Sequence, residues 1–210
     1  MIDFGAVFAY AIAAGLLTLT PGLDTALVLR TAAVEGTAQA RHALAGICIG
    51  LLIWGSATSL GLTALIAIST VGYNALRIAG AGYLVYLGVQ MWRREHGFQV
   101  GEADPASQGR GAHSWLVRGF LTNLLNPKVG VFYVTLLPQF IPRSTSVIGY
   151  GLLFTLIHVV EGILWLTILT FAVRPLRSWL SRRSVARALD RGTGTVLIGC
   201  GVALAIEGRR

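Results

Sequence analysis

Charge is scarce in this chain, and acid scarcer still: Asp, Glu, Lys and Arg make up 12% of 210 residues, and only nine residues are acidic. A soluble domain carries roughly twice that share of charge, so an ordinary water-soluble fold is excluded. Cysteine is limited to Cys48 and Cys200, both in apolar stretches with no CxxC or Cys/His spacing. They read as packed thiols rather than a disulfide or metal pair. The four histidines, His42, His96, His113 and His158, are scattered, with no HExxH or comparable spacing. A membrane-embedded enzyme would want a clustered nucleophile, acid–base pair or metal site, so catalysis is disfavoured and neither metal nor other cofactor is expected. The formal charge of +8 comes without a basic stripe interleaved with aromatics, which argues against nucleic acid as a partner. The beginning of the chain also lacks a basic region, and its first apolar stretch runs into Pro21-Gly22-Leu23-Asp24; a retained span is expected there, not a cleaved signal peptide.

What is present is apolar length. Hydrophobic residues reach 54% and the mean hydropathy is +0.68, values that favour a polytopic protein with the lipid bilayer as its solvent. Windows of about 19 residues predict six transmembrane helices: Phe4 to Leu29, Ala43 to Ile68, Leu76 to Trp92, Trp115 to Ile141, Val147 to Val173, and Ala188 to Ile206. The predicted fold class is an all-α membrane protein forming a single transporter domain over 1–210. Three spans in residues 1–92 are separated by a polar linker, 93–114, from three in residues 115–210.

Two of those spans contain a helix-start signal within apolar sequence, Thr20-Pro21-Gly22-Leu23-Asp24 and Asn126-Pro127-Lys128, with the prolines 106 positions apart. Thr or Asn caps free N–H groups, and Pro fits the first helical turn where no donor is needed. At about 26 residues, or about 39 Å of helix against a hydrocarbon core of about 30 Å, the first and fourth spans have length to spare for a break. Helices restart inside a bilayer only where protein or a watery cavity satisfies the released backbone, and paired breaks in two halves point to a transporter's binding site. An odd number of spans per half predicts a 3+3 inverted repeat about a pseudo-twofold axis in the membrane plane.

Four charges fall within the spans: Asp24, Arg77, Lys128 and Glu161. A charge at the bilayer centre costs roughly 2.5–3.5 kcal/mol, so it normally faces a cavity or a partner. Asp24 reads either as a site residue or as a solvated acid near the interface, and Arg77 as a side chain that snorkels. Lys128 lies mid-span in the first turn of a restarted helix, where the backbone dipole disfavours a cation, which marks it for a function. Glu161 is also central, with His158 one turn earlier on the same face, so the two share a proton or simply pair. The set suits a small zwitterion, with Thr20, Pro21, Gly22, Asn123, Asn126 and Pro127 shaping the breaks. Lys128 and the helix start would hold its carboxylate and Asp24 or Glu161 its ammonium group, with Asp24 and Lys128 paired when empty. Glu161, with His158 beside it, is the acid to which a proton would be assigned were transport proton coupled.

Gly46 and Gly50, Ala75 and Ala79, and the further glycines at 80, 82, 88, 149, 151, 162, 199 and 201 allow close helix approach. Trp54, Tyr83, Tyr86 and Trp165 line a cavity or sit in interface belts, with packing or interface roles favoured. Association into a homo-oligomer stays open. Twelve arginines, from Arg30 and Arg41 to Arg187 and Arg191, fall on the side of the first, third and fifth loops, against Arg143, Arg209 and Arg210 on the other. This asymmetry predicts those loops in the cytoplasm and both termini outside.

At these residues the chain resembles the LysE/RhtB family of bacterial amino-acid exporters. The resemblance is carried by Leu19-Thr20-Pro21-Gly22-Leu23-Asp24 with Leu27-Val28-Leu29, the Gly-rich second span after Gly36 and Arg41-His42, Arg77-Ile78-Ala79-Gly80-Ala81-Gly82-Tyr83-Leu84-Val85-Tyr86-Leu87-Gly88, and Gly119-Phe120-Leu121-Thr122-Asn123-Leu124-Leu125-Asn126-Pro127-Lys128. It covers nearly the whole chain. The family usually reads Pro-Gly-Pro-Asp at the first break, where this chain has Leu23, and Glu161 is not part of the shared pattern. The resemblance implies efflux of an amino acid or close derivative across the cytoplasmic membrane, driven by protons. More distant relatives imply an alternative, divalent-cation transport, which a lysine in the site would spoil.

Overall fold

A computed structural model describes residues 2–68, 70–93, 111–142, 145–172 and 183–206. Its described residues are helical and contain no strand. The elements are α1 (Phe4–Leu19), α2 (Leu23–Val34), α3 (Thr37–Ile68), α4 (Thr70–Arg93), α5 (Ala112–Leu124), α6 (Pro127–Val131, running on in irregular turns to Phe140), α7 (Val147–Phe171) and α8 (Arg183–Ile206). Apart from the two breaks and a residue or so at their ends, the six predicted windows are helical where described, and several of the helices overrun them. The first continues past Leu29 to Val34, and the second, third and sixth begin at Thr37, Thr70 and Arg183. Apolar windows mark what lies in lipid, whereas a helix carries on into polar surroundings until a residue stops it. At the end of α2 that residue is Gly36, whose φ of 97° few other residues adopt.

Within α3, Thr37–Gly61 is long and apolar enough to cross a membrane, as is α7, and each of the pairs α1+α2 and α5 with Pro127–Phe140 qualifies together. Both pairs bend by 51° at their break. The prolines account for the position of each bend. Asp3, Asn126 and Ser146 cap α1, α6 and α7, accepting from the N–H of Ala6, Lys128 and Gly149.

Past α6 the helix widens into a π turn over Phe132–Leu136 and tightens into a 3₁₀ turn over Leu137–Phe140. Pro138 removes a donor there, and side chains take up released carbonyls: the Thr135 hydroxyl donates to Val131 O and the Gln139 amide to Thr135 O.

Packing is closest where glycines replace side chains. A Cβ on Gly46 would overlap the carbonyl of Leu116, and one on Gly119 the carbonyl of Ala43, so α3 and α5 meet backbone to backbone. Gly55 receives Thr155, and Gly151 receives Ser59, where α3 crosses α7. Gly82 and Gly199, by contrast, have nothing within 4 Å of an added Cβ and take no part in such contacts. The core gathers Tyr10, Phe132, Tyr133 and Phe154, with Tyr10 stacked on Phe154 at 4.3 Å. Phe4, Phe8 and Ile12, successive turns of α1, face outward at 79%, 69% and 50% exposure, an apolar stripe that lipid would cover. At the far end α4 and α8 are tied by the Trp92 indole, which donates to Arg191 O and Thr195 Oγ1.

Several expectations fall outside the described residues: the linker over residues 94–110, the side chains of Arg77 and Cys200, the Arg143 loop, residues 173–182, and Arg209 and Arg210.

Candidate functional site

The two breaks face a common cavity of about 40 Å³. Room for about two or three waters is all this provides. Its lining includes Leu17, Thr18, Thr20, Gly22 and Asp24 from the first break, Asn126 and Lys128 from the second, and His158, Gly162 and Trp165 from α7. Thus residues 106 or so positions apart in sequence are brought to one place.

The first break is made by backbone chemistry. The Thr20 side chain turns back onto Leu16 O at 2.7 Å and its N–H donates to the same carbonyl at 3.1 Å, which closes α1. Pro21 is buried at the corner, and α2 restarts from Gly22, whose carbonyl accepts from the Ala26 N–H. Asp24 lies in the first turn of α2, where the free N–H groups favour an acid. Its Oδ2 accepts from the Asn123 amide at 2.8 Å, while Oδ1 is buried without a hydrogen-bond partner. Asn123 is itself fully buried on α5 behind the cavity wall, and Gly50 on α3 leaves the room it needs.

At the second break Asn126 Oδ1 caps the Lys128 N–H at 3.1 Å. The Lys128 side chain reaches across to the first break, where Nζ donates to Leu17 O and Thr20 O, each at 2.8 Å. Its tip passes so close to Gly22 that a Cβ there would lie 3.5 Å from Nζ. Lys128 is the only lysine in the sequence; every other basic residue besides histidine is arginine. That singularity is a sequence signal for the site in its own right. An ammonium group is compact and offers three donors in a tetrahedral array, which a guanidinium cannot reproduce.

Not every predicted site residue comes to the cavity. Pro127 faces away from it, into an open apolar groove of about 460 Å³ shared with Trp54, Tyr83 and Val134. Glu161, between the cavity residues His158 and Gly162 on α7, is half-buried outside the lining, its carboxylate against α1 at Gly15. His158 lies between Phe132 and Tyr133, with ring centroids 5.3 and 5.6 Å away. His158 Nδ1 and Glu161 Oε2 are each buried without a hydrogen-bond partner, so the expected sharing or pairing between these two does not occur in this conformation.

Thr18 and Thr25 line the cavity without being singled out by the sequence. Trp165, for which the sequence leaves a cavity or an interface open and favours packing or an interface, lines the cavity with its indole Nε1 buried and unpartnered. Thr18 does the same with its hydroxyl. The hydroxyls of Thr20, Thr31, Thr135, Thr155 and Thr170 all donate to the carbonyl four residues earlier, so Thr18 stands apart from the usual way a threonine satisfies itself in a helix.

Broken helices with a half-buried cation and an acid lining one small cavity, in a chain helical among its described residues and with apolar outer faces, define a membrane transport protein. The LysE type translocator family matches residues 16–208. The chain belongs to that family, and it is a multi-pass membrane protein. It is 32% identical to the homoserine/homoserine lactone efflux protein of Salmonella typhi over 200 residues, covering 94% of this chain and 95% of that protein. It is 29% identical to the threonine efflux protein of Escherichia coli (strain K12) over 193 residues, with 90% and 92% covered. Against the leucine efflux protein of Enterobacter sp. (strain 638) the identity is 29% over 212 residues, with 97% of each covered. No solved structure matches.

Proposed function

We propose that the protein exports an amino acid or a close derivative across the cytoplasmic membrane, with binding at the cavity between the two breaks. The observation that carries this reading is the convergence of the single lysine, Lys128, and the acid Asp24 on one cavity made by two interrupted helices. Opposite charges lining one cavity in apolar surroundings suit a zwitterion, whose own charges each find a partner so that neither is buried bare. Lys128 takes the carboxylate, Asp24 draws the ammonium group, and Thr20, Gly22 and Asn126 shape the walls; Pro21 and Pro127 make the breaks, and Asn123 positions Asp24. The three relatives are named for efflux of homoserine or its lactone, threonine and leucine, which supports an amino-acid cargo of modest size.

The architecture is a 3+3 inverted repeat in one domain, with α1 to α4 forming one half and α5 to α8 the other. The equal bends of 51° support this. So does the packing, in which α3 lies on α5 and α7 on α1, while α3·α7 and α4·α8 meet across the relation. Transport is proton coupled through Glu161, an acid with one oxygen buried and unpartnered, and both termini lie outside. Purified protein in proteoliposomes preloaded with one unlabelled amino acid at a time tests the cargo. Counterflow of the matching labelled amino acid is expected for a small set of the twenty, and counterflow of none of them defeats the reading.

A further inference from the structure

A proline does more at the first break than bend it. In an unbroken helix Leu17 O would accept from the N–H of residue 21, but Pro21 has none. Thr20 is the C-cap of α1, where the regular bonding of that helix ends, and α2 takes it up again with Gly22 O accepting from Ala26. Leu17 O and Thr20 O both receive the Lys128 ammonium at 2.8 Å. We propose that this carbonyl pair is the subsite for the primary ammonium group of the transported amino acid, and that in the empty protein the Lys128 ammonium occupies it as an internal stand-in. The inference rests on the exporter reading and deepens it.

Three observations converge. Two carbonyl oxygens at a break, with Asp24 lining the same cavity, select a cation with several N–H donors. A cavity of about 40 Å³ holds water but not an amino acid, so cargo enters only by displacing a side chain. The displaceable one is a lysine on a flexible four-carbon stem, its head beside Gly22. When the cargo's carboxylate draws the Lys128 head away, its ammonium takes the vacated carbonyls, so the lysine and the two carbonyls each exchange one partner for another. An amine without a carboxylate cannot draw the lysine off, and a carboxylate without an amine strips the carbonyls without replacing their donor. The site therefore reads both ends of the cargo together.

The test is a gain of function. Lys128→Ala protein, purified whole in detergent, should be stabilised against thermal unfolding by ethylammonium, saturably and with affinity about tenfold or more above that of the wild type; tetramethylammonium, which has no N–H donor, should do nothing. Ethylammonium binding to Lys128→Ala no better than to the wild type overturns the subsite. Should that variant not fold, the wild type answers through its single lysine, because 15N-lysine labelling gives one side-chain ammonium resonance. Protons on it protected from solvent exchange in the empty protein are expected, and protons exchanging at the solvent rate overturn the proposal. Counterflow separates the two levels: wild type that exchanges no amino acid sinks the exporter reading, whereas active wild type with an amine-blind Lys128→Ala sinks the subsite alone.

Discussion

Lys128 begins a helix at the end where the backbone is positive, an unfavourable place for a cation, and its stem carries the charge across to the carbonyls of α1. The negative end of one helix thus offsets the positive end of the other. Lys128→Met should remain folded and inserted, by gel filtration and helical content, yet lose amino-acid counterflow by two orders of magnitude or more, since roughly 3 kcal/mol of charge-assisted hydrogen bonding is removed. Asp24 and Glu161 are both acids with a buried, unpartnered oxygen, but only Asp24 lines the cavity. Asp24→Asn should therefore damage exchange and net efflux alike. Glu161→Gln should leave exchange between equal pools intact and abolish accumulation driven by an imposed pH gradient. Accumulation that persists in Glu161→Gln would return the proton to Asp24.

At the scale of helices, the contact of α3 with α5 depends on Gly46 and Gly119 meeting opposing backbone. A side chain added at either must push the helices apart, and Gly119→Val should cost about 1–3 kcal/mol, read as a lower unfolding temperature in detergent with the helical content unchanged before melting. Pro21→Ala works in the opposite sense: it returns an N–H to Leu17 O, competes with Lys128 for that carbonyl, and should impair counterflow without loss of thermal stability. Both breaks are legible in the chain because proline removes a donor whatever surrounds it. The irregular turns before Phe140 follow from Pro138 by the same rule, yet hydropathy passes over them, since the segment stays apolar throughout. Thr18 and Thr25 are not legible, nor is the choice between cavity and interface for Trp165. Whether a residue on an apolar helix faces a cavity depends on the rotation at which α1, α3 and α7 lock together, and that is decided by remote crossings such as Gly55 with Thr155 and Gly151 with Ser59. His158 and Glu161 share a helical face in sequence, but aromatic packing of Phe132 and Tyr133 around the imidazole holds it among rings and not on the carboxylate.

For the molecule as a whole, orientation follows from arginine placement and can be checked without any transport assay. Cysteine introduced at Arg209 should react with an impermeant maleimide added outside cells, and cysteine at Ser181 should not, on a background lacking Cys48 and Cys200; the reverse pattern would invert the topology. The apolar stripe of Phe4, Phe8 and Ile12 and the outward face of α7, with Leu164 and Phe171 at 60% and 67% exposure, leave little for water to solvate around the bundle. Detergent or lipid is needed to keep it dispersed. The carbonyls that Lys128 holds at Pro21 have a mechanical meaning as well. A continuous helix resists bending through its ladder of main-chain bonds, and at residue 21 one rung is missing, so the set of that joint is held by a lysine head belonging to the other half of the chain. On the proposed site, a ligand that draws that head away would free the angle between α1 and α2, and the stiffness of the first half would then be a quantity governed by the second.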